Sequence, residues 1–143
     1  MNAIQTVLGK MSAEEVAKVA AVEEMSLRDC PQLYLHTEHV FHAGVYARTI
    51  MLPAGGVLTG ALIKIDTILI LNGDAHVYGE GGAVRITGHN VMMGRSGRKQ
   101  LIVAISDTYL TMLFATKATT VEGAEQEFTD EFDRLMSRHE REM

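Results

Sequence analysis

Short, mainly apolar runs separated by polar and glycine-containing clusters occupy the middle of the chain, between residues 33 and 116. Runs rich in β-branched and aromatic residues predict strands here, and clusters of Gly, Pro, Asn, Asp and Ser predict the turns between them. Since no turn in this region is followed by a long helical period, the pattern favours an antiparallel barrel or sandwich over a parallel α/β sheet. The predicted strands are Val45–Leu52, Thr67–Leu71, Ala75–Tyr78, Ala83–Ile86, Leu101–Ile105 and Tyr109–Ala115, with turns at 53–56, 72–74, 79–82, 88–90, 94–97 and 106–107.

Helical patterns flank the β-region on both sides. Ser12-Ala-Glu-Glu15 has the sequence of a capping box and predicts a helix over residues 12–25. Thr119-Thr-Val-Glu122 is a second such sequence and predicts an amphipathic helix over residues 119–138. We expect this second helix to pack on the barrel or on a partner subunit through its apolar stripe, which includes Val121, Phe128, Phe132, Leu135 and Met136.

These patterns divide the chain into three predicted parts: a helical segment over 1–32, a β-barrel over 33–117 and a C-terminal helix over 118–143. A length of 143 residues is sufficient for one domain with a substantial core. The net charge of −5 is concentrated at the two ends, and no dense basic face is present, so we do not expect a nucleic-acid partner. Cys30 is the only cysteine, which excludes an intrachain disulfide. With no signal-peptide pattern and no long apolar run, we expect a cytoplasmic protein without a membrane partner.

Several segments resemble the cupin superfamily, and in particular small cupin-like proteins of tailed bacteriophages and prophages. Residues 58–74 are similar to its first conserved motif, with two predicted strand runs and an Asn-Gly-Asp turn. The resemblance implies a mainly β fold, a cupin-like antiparallel β-barrel of the jelly-roll type with an N-terminal helix and a C-terminal amphipathic helix. The other similar segments are Thr37-Glu-His39, Gly44-Val-Tyr-Ala-Arg48, Pro53-Ala-Gly55, Gly73-Asp74 and Ala118-Thr-Thr-Val-Glu122.

The metal ligands that this resemblance implies are missing. Cupins with metal chemistry use two histidines and a carboxylate of the first motif together with a later histidine, and phage-type relatives would carry His-Lys-x-Glu-His before the Gly-Asp turn. This chain has Ile63-Lys-Ile-Asp-Thr67 there, and the later histidine falls near Ile105. One remaining carboxylate is too few for a catalytic metal, so we predict a non-enzymatic protein with no cofactor.

Strand alternation divides the substituted positions between two faces. Ile63, Ile65 and Thr67 share one face, where the ligands would lie, and Lys64 and Asp66 share the other. We therefore expect an apolar row inside the barrel.

Other residues are candidates for binding sites. Arg48, Lys64, Asp66 and Arg85 are candidates for binding a small anion without a metal. His36, His39 and His42 are either surface histidines or a metal or pH-sensitive site at a subunit boundary. Arg95, Arg98 and Lys99 lie between two glycines, in a loop that either holds a phosphate or is a solvated hairpin end.

Three functions are consistent with these patterns. The first is a non-enzymatic phage-type protein that acts through protein–protein surfaces as a homo-oligomer, with a dimer as the first expectation. Such a protein would be a capsid-decorating virion accessory, found in the host cytoplasm or on the virion. The second is a metal-independent cupin that binds a small anion or has isomerase-like activity. The third is a phage factor that counteracts a host defence by binding a host protein or a signalling nucleotide.

Overall fold

Eight strands and two α-helices make up the part of the chain that the computed structural model describes, residues 7–135 and 137. The elements are β1 (Val7–Leu8), α1 (Ala13–Asp29), β2 (Glu38–His42), β3 (Val45–Leu52), β4 (Val57–Thr59), β5 (Thr67–Gly79), β6 (Gly82–Gly94), β7 (Leu101–Ala104), β8 (Thr108–Ala115), α2 (Val121–Phe128) and a 3₁₀ turn (Phe132–Arg134). Hydrogen-bonded neighbours follow the order β1-β6-β5-β8-β3-β2, while β7 pairs with both β4 and β5. The pairing of β1 with β6 is parallel and the other pairings are antiparallel. No helix among the described residues has the length and apolar character needed to cross a bilayer.

Strand β5 runs straight through the predicted Asn72–Asp74 turn, so that prediction is wrong. The strand pairs with β8 as far as Asn72 and with β7 from Ala75 onward, and Gly73 lies where the partner changes. A Cβ at Gly73 would lie 2.7 Å from the Cα of Thr108, so glycine is needed for close backbone approach rather than for a turn. The predicted turn at 88–90 is wrong for a related reason, because Gly88 lies inside β6 and pairs with Gly73 of β5. The turn at Gly79–Gly82 is confirmed as the β5–β6 hairpin.

The first run of the 58–74 stretch is not a full strand. β4 ends at Thr59, and Ile63 makes only an isolated bridge to Arg98. The alternation predicted for the next residues is confirmed, because Ile63 and Ile65 pack against the core and Thr67 is buried, while Lys64 and Asp66 are exposed.

Helix α1 is confirmed and extends four residues beyond its predicted end. The Ser12 hydroxyl accepts from the Glu15 amide at 3.1 Å, and the Glu15 carboxylate accepts from the Ser12 amide at 2.8 Å. This is the predicted capping box. The helix buries Val19 and, unexpectedly, the carboxylate of Glu23.

The C-terminal helix is shorter than predicted. It begins after Thr120 rather than Thr119, because the Thr120 hydroxyl accepts from the Gly123 amide. It ends at Phe128. The Lys64 amide donates to the Phe128 carbonyl, and the Thr129 hydroxyl donates to the Leu62 carbonyl. These long-range hydrogen bonds replace the next helical turn. Of the predicted stripe, Phe128 is 1% exposed within this chain, Val121, Phe132 and Leu135 are half-buried, and Met136 lies outside the described residues.

Inward-facing side chains of β3, β5 and β8 fill the barrel. Tyr46, Leu52 and Leu71 have no exposed surface, and Phe114 and Phe128 close the end that α2 covers. Protein interiors pack as densely as organic crystals, so these side chains leave little room for a ligand between them.

Candidate functional site

A hydrogen-bonded group of polar side chains lies inside the barrel near the β2–β3 hairpin. Strand register places His39 opposite Arg48 and Phe41 opposite Tyr46, and alternation points all four side chains to the same face. The Nδ1 atom of His39 lies 2.6 Å from the Tyr46 hydroxyl, and Arg48 Nη1 donates to the same hydroxyl at 3.3 Å. Two residues predicted as separate candidates, His39 and Arg48, thus meet at Tyr46.

Helix α2 and the residues after it complete this group. Arg48 Nη1 lies 3.5 Å from Oε2 of Glu125, whose side chain is fully buried. Ser137 donates its hydroxyl to the same carboxylate oxygen and accepts from Arg48 Nη2 at 3.3 Å. The Arg48 guanidinium also lies over the Phe128 ring, 5.0 Å from its centroid. We call His39, Tyr46, Arg48, Glu125 and Ser137 the Tyr46 cluster.

Aromatic rings surround the Tyr46 cluster and limit what it can do. Phe41 stacks on Tyr46 with ring centroids 4.8 Å apart, and Phe114 meets Tyr46 edge to face at 5.6 Å. Histidine, tyrosine, arginine and glutamate together have the groups needed for proton transfer or anion binding. Tyr46 has no exposed surface, however, and Arg48 is held by Glu125 and Ser137. The geometry therefore supports a structural role, in which a buried ion pair joins α2 to the barrel.

The four predicted anion-binding residues do not form one site. Arg48 belongs to the Tyr46 cluster, whereas exposed Lys64 pairs with Asp130 at 2.7 Å and Asp66 accepts from the Ser96 amide. Arg85 makes two hydrogen bonds to Asp74, of 3.0 and 2.8 Å, on the β5–β6 ribbon. That contact holds the pKa of the Asp74 carboxyl below its usual value and raises the pKa of Arg85.

The histidine cluster is divided between different surroundings. His36 precedes β2 and is exposed, His39 points inward to Tyr46, and His42 is exposed on β2. Within the described ranges, no group of three or more His, Cys, Asp or Glu residues is arranged to hold a metal ion.

The positions that the resemblance assigns to metal ligands do not fit a divalent ion either. Ile63 contributes hydrocarbon, the Asp66 carboxylate is exposed and hydrogen-bonded to the Ser96 amide, and Thr67 accepts from Arg98 Nη2 at 2.5 Å. Ile105, near which the later histidine would fall, is 42% exposed and so does not provide an interior position for a ligand. It follows the end of β7, and its amide donates to the Asp74 carbonyl. First-row ions prefer imidazole and carboxylate donors, but these positions have no imidazole and only one carboxylate, that of exposed Asp66.

Both interpretations of the 94–99 loop are wrong. The Arg95, Ser96 and Gly97 amides donate to the Leu8 carbonyl, the Asp66 carboxylate and the Ile63 carbonyl, so they do not form a cradle for phosphate. Arg98 and Lys99 are 2% and 1% exposed, so the loop is not a solvated hairpin end. Burial lowers the pKa of Arg98 to about 10, although the negative charge of Asp66 opposes this shift. An open surface depression of about 560 Å³ beside the loop carries both signs of charge, from Lys10, Arg95, Asp66 and Glu80, and so does not favour an anion.

Buried Lys99 is the centre of a second polar group that the sequence did not reveal. Its Nζ lies 3.2 Å from Oε2 of Glu23 on α1 and 2.9 Å from Oε1 of Glu131. Glu23 also pairs with Arg134 at 3.0 Å, and Glu131 accepts from the Leu62 amide at 2.7 Å. We call Glu23, Lys99, Glu131 and Arg134 the Lys99 network. One signal was available: Glu23 follows Val19 by one helical turn and so lies on the buried face of α1.

Comparisons with known proteins show that this chain is similar in fold to several solved structures. No family model and no curated protein sequence matches the chain. Salicylate 1,2-dioxygenase from Pseudoaminobacter salicylatoxidans is similar in structure, with a TM-score of 0.52, 10% identity and coverage of 87% of this chain and 38% of that one. The plu4264 protein of Photorhabdus luminescens has a TM-score of 0.51 at 7% identity, covering 66% of this chain and 86% of that one. A cupin superfamily protein from Desulfitobacterium hafniense has a TM-score of 0.49 at 14% identity, covering 64% of this chain and 86% of that one.

The chain has a cupin-like fold. Identities this low show the architecture and do not transfer an activity. Because the similar structures include a dioxygenase, the cupin-like fold by itself does not distinguish an enzyme from a non-enzyme. The function has to be argued from the residues of this barrel.

Proposed function

We propose that this cupin-like protein is non-enzymatic and acts through its outer surfaces as an oligomer. The observation that carries the proposal is the filling of the barrel by its own side chains. Ile63 and Thr67 stand at the histidine positions implied by the resemblance, Ile63 and Ile65 pack against the core, and Thr67 is hydrogen-bonded to buried Arg98. At the other end, the hydroxyl, guanidinium and carboxylate groups of the Tyr46 cluster form hydrogen bonds and an ion pair with one another. An interior arranged in this way contributes to stability and leaves recognition to the surface.

We expect purified protein to bind no divalent metal in stoichiometric amount, because the described residues offer no group of three or more His, Cys, Asp or Glu side chains arranged to hold one. The measurement is elemental analysis after incubation with manganese, iron, nickel and zinc followed by gel filtration. Less than about 0.1 metal ion per chain is expected, since site occupancy follows ligand number and geometry.

Thermal unfolding with a panel of small anions extends this test. A ligand at about 100 times its Kd stabilises a protein by about 2.7 kcal/mol, which raises the Tm of a chain of this size by roughly 8 °C. We expect no shift of that size. Stoichiometric metal, or a shift that Arg48→Ala removes, would contradict the proposal and restore an interior site.

The resemblance to phage proteins supports a more specific role within this proposal, that of a virion accessory of phage origin. Its most specific segments are Gly44-Val-Tyr-Ala-Arg48 and Ala118-Thr-Thr-Val-Glu122. In the structure both contribute to the covered end of the barrel, through Tyr46 and Arg48 on β3 and through the Thr120 cap of α2. Mass spectrometry of purified particles from a phage that encodes the chain tests the role, and absence of the chain from those particles would contradict it.

A further inference from the structure

The outward face of the main sheet carries a continuous apolar row that crosses six strands. Cross-strand pairing places its members side by side from β1 to β2. Val7, Met93, Ile68 and Val40 are 44%, 42%, 41% and 57% exposed. The complete row is Val7, Met93, Ile68, Leu113, Ala47 and Val40.

Two further rows continue this face along the strands. The second row is Val91, Ile70, Thr111, Thr49 and Glu38, and the third is His89, Asn72, Tyr109 and Met51. We call the outward residues of these three rows the outer sheet face. Scattered exposed apolar residues are ordinary, but a contiguous patch of this extent is typical of an interaction site.

A hydroxyl pair at the centre of the outer sheet face is already satisfied. Thr49 and Thr111 lie opposite each other on β3 and β8, and their hydroxyl oxygens are 2.7 Å apart. Burying an unpaired hydroxyl is unfavourable, whereas a pair that is hydrogen-bonded internally can be covered by an apolar surface at lower cost. The centre of the face is thus suited to complete removal from water.

The charges of the outer sheet face suit a second copy of the chain. Among the described residues of the three rows, Glu38 at the outer edge is the only acid and there is no lysine or arginine. The chain carries a net charge of −5, so two copies repel each other over most of their surfaces. Contact through a nearly uncharged face avoids placing like charges together, and in a two-fold dimer the same patch serves both partners.

The dimensions of the face also suit a dimer. The three rows cross six, five and four strands, so the face has fifteen positions, and each occupies about 4.8 by 6.7 Å, which gives about 500 Å² of flat area. Projecting side chains raise the accessible area toward the roughly 600 Å² per partner of the smaller specific interfaces. Two sheets stacked face to face about 10 Å apart interdigitate such side chains.

We propose that the outer sheet face is the interface of a symmetric homodimer, in which the central strands β5 and β8 of one copy stack on those of the other. This inference rests on the proposed function and names the partner for one of its surfaces. The test below measures association, whereas the metal and ligand measurements concern the interior, so the two proposals can fail separately.

The experiment is sedimentation equilibrium of the full chain and two matched variants. We expect the wild type to be dimeric at about 10 µM, and Ile68→Lys, which places a charge on central strand β5 within the interface, to raise the dimer Kd by about 100-fold or more. Val57→Lys is the control, because Val57 is 52% exposed on β4, away from the face. It should dimerise like the wild type. Circular dichroism confirms that each variant is folded, and Val40→Lys at the sheet edge replaces Ile68→Lys if the latter unfolds.

A cross-link distinguishes a second copy from another partner. With exposed Cys30 changed to serine, Ile70→Cys on the central strand should give a disulfide-linked dimer under mild oxidation, whereas Val57→Cys should not. A wild-type monomer at about 100 µM would overturn the inference, since that concentration exceeds the Kd of an ordinary homodimer. A dimer that persists unchanged in both Ile68→Lys and Val40→Lys would overturn it as well, and would place the interface elsewhere.

Discussion

Replacing Lys99 by alanine lowers the free energy of unfolding by about 3–5 kcal/mol. Lys99 is 1% exposed and its ammonium group lies between the carboxylates of Glu23 and Glu131. Removing it leaves two partly buried negative charges facing each other, with Arg134 as the remaining cation of the Lys99 network. The network joins α1, the 62–64 segment and the C-terminal turn to the barrel, so the loss reaches three elements at once. Urea unfolding followed by circular dichroism measures it.

Lys64→Ala is the matched control for this prediction. Lys64 pairs with Asp130 at 2.7 Å, a shorter contact than either made by Lys99, but its side chain is 41% exposed and that of Asp130 is 87% exposed. Exposed ion pairs contribute about 0–1 kcal/mol, so we expect a change within that range. Equal losses in the two variants would show that burial does not determine the importance of these lysines.

The pH dependence of stability provides a second measurement on the same variant. Burial acts to raise the pKa of Glu131, but hydrogen bonds from Lys99 and the Leu62 amide outweigh it and hold this pKa below its usual value of 4.5. A carboxyl with a lowered folded-state pKa contributes stability above pH 4.5 that is lost as the pH falls through the folded-state value. We expect wild-type stability to fall over this acidic range, and to fall less steeply in Lys99→Ala. The same slope in both proteins would show that Lys99 does not hold down the pKa of Glu131.

The second large effect is expected from Gly73→Ala, with a loss of about 3 kcal/mol or more. A Cβ at this position would lie 2.5 Å from the Thr108 hydroxyl oxygen and 2.7 Å from the Thr108 Cα. The second contact is with backbone, so a side-chain rotation cannot relieve it. The φ angle of +152° is also one that side chains disfavour. Gly73 is the point at which β5 changes partner from β8 to β7, so relief of the clash requires the two strands to move.

Gly60→Ala is the comparison for this variant, in the same part of the sequence. A Cβ there would meet the Gln100 carbonyl oxygen at 3.4 Å, an ordinary contact, and the backbone is not in the left-handed region. We expect a change within about 1 kcal/mol by chemical denaturation. If Gly73→Ala were as mild as Gly60→Ala, the close approach of Thr108 would not be what requires glycine.

Residues that interact with near neighbours in sequence were predictable. The Ser12 capping box depends on contacts three residues apart, and β3 is a run containing β-branched and aromatic residues next to a Pro-Gly turn, so helix α1 and the strand Val45–Leu52 follow from local pattern. The C-terminal helix shows the limit of this reasoning, because the apolar periodicity of the sequence continues past Phe128 whereas the helix ends there. Hydrogen bonds from Lys64 and Thr129 to distant carbonyls end it.

The candidate site could be predicted only in part. Alternation places Tyr46 and Arg48 on one face of β3, but pairing with His39 depends on the β2–β3 register and pairing with Glu125 on the docking of α2. Lys99 and Arg98 lie in a glycine-flanked basic segment that is typical of a solvated loop. Their burial follows from α1 and the C-terminal turn, which bring carboxylates to Lys99, and from the position of Gly94 against the Arg98 guanidinium.

Local sequence therefore accounts for β3, β7, β8, the first helix, the Gly79–Gly82 hairpin and the loss of metal ligands in residues 63–67, because each depends on residue type and on neighbours a few positions away. Long-range packing accounts for the rest: the passage of β5 through Gly73, the buried Lys99 network, the Tyr46 cluster and the apolar row across six strands. The row illustrates the physical reason most directly. Its six residues are spread from Val7 to Leu113, and only the order and register of the strands place them side by side.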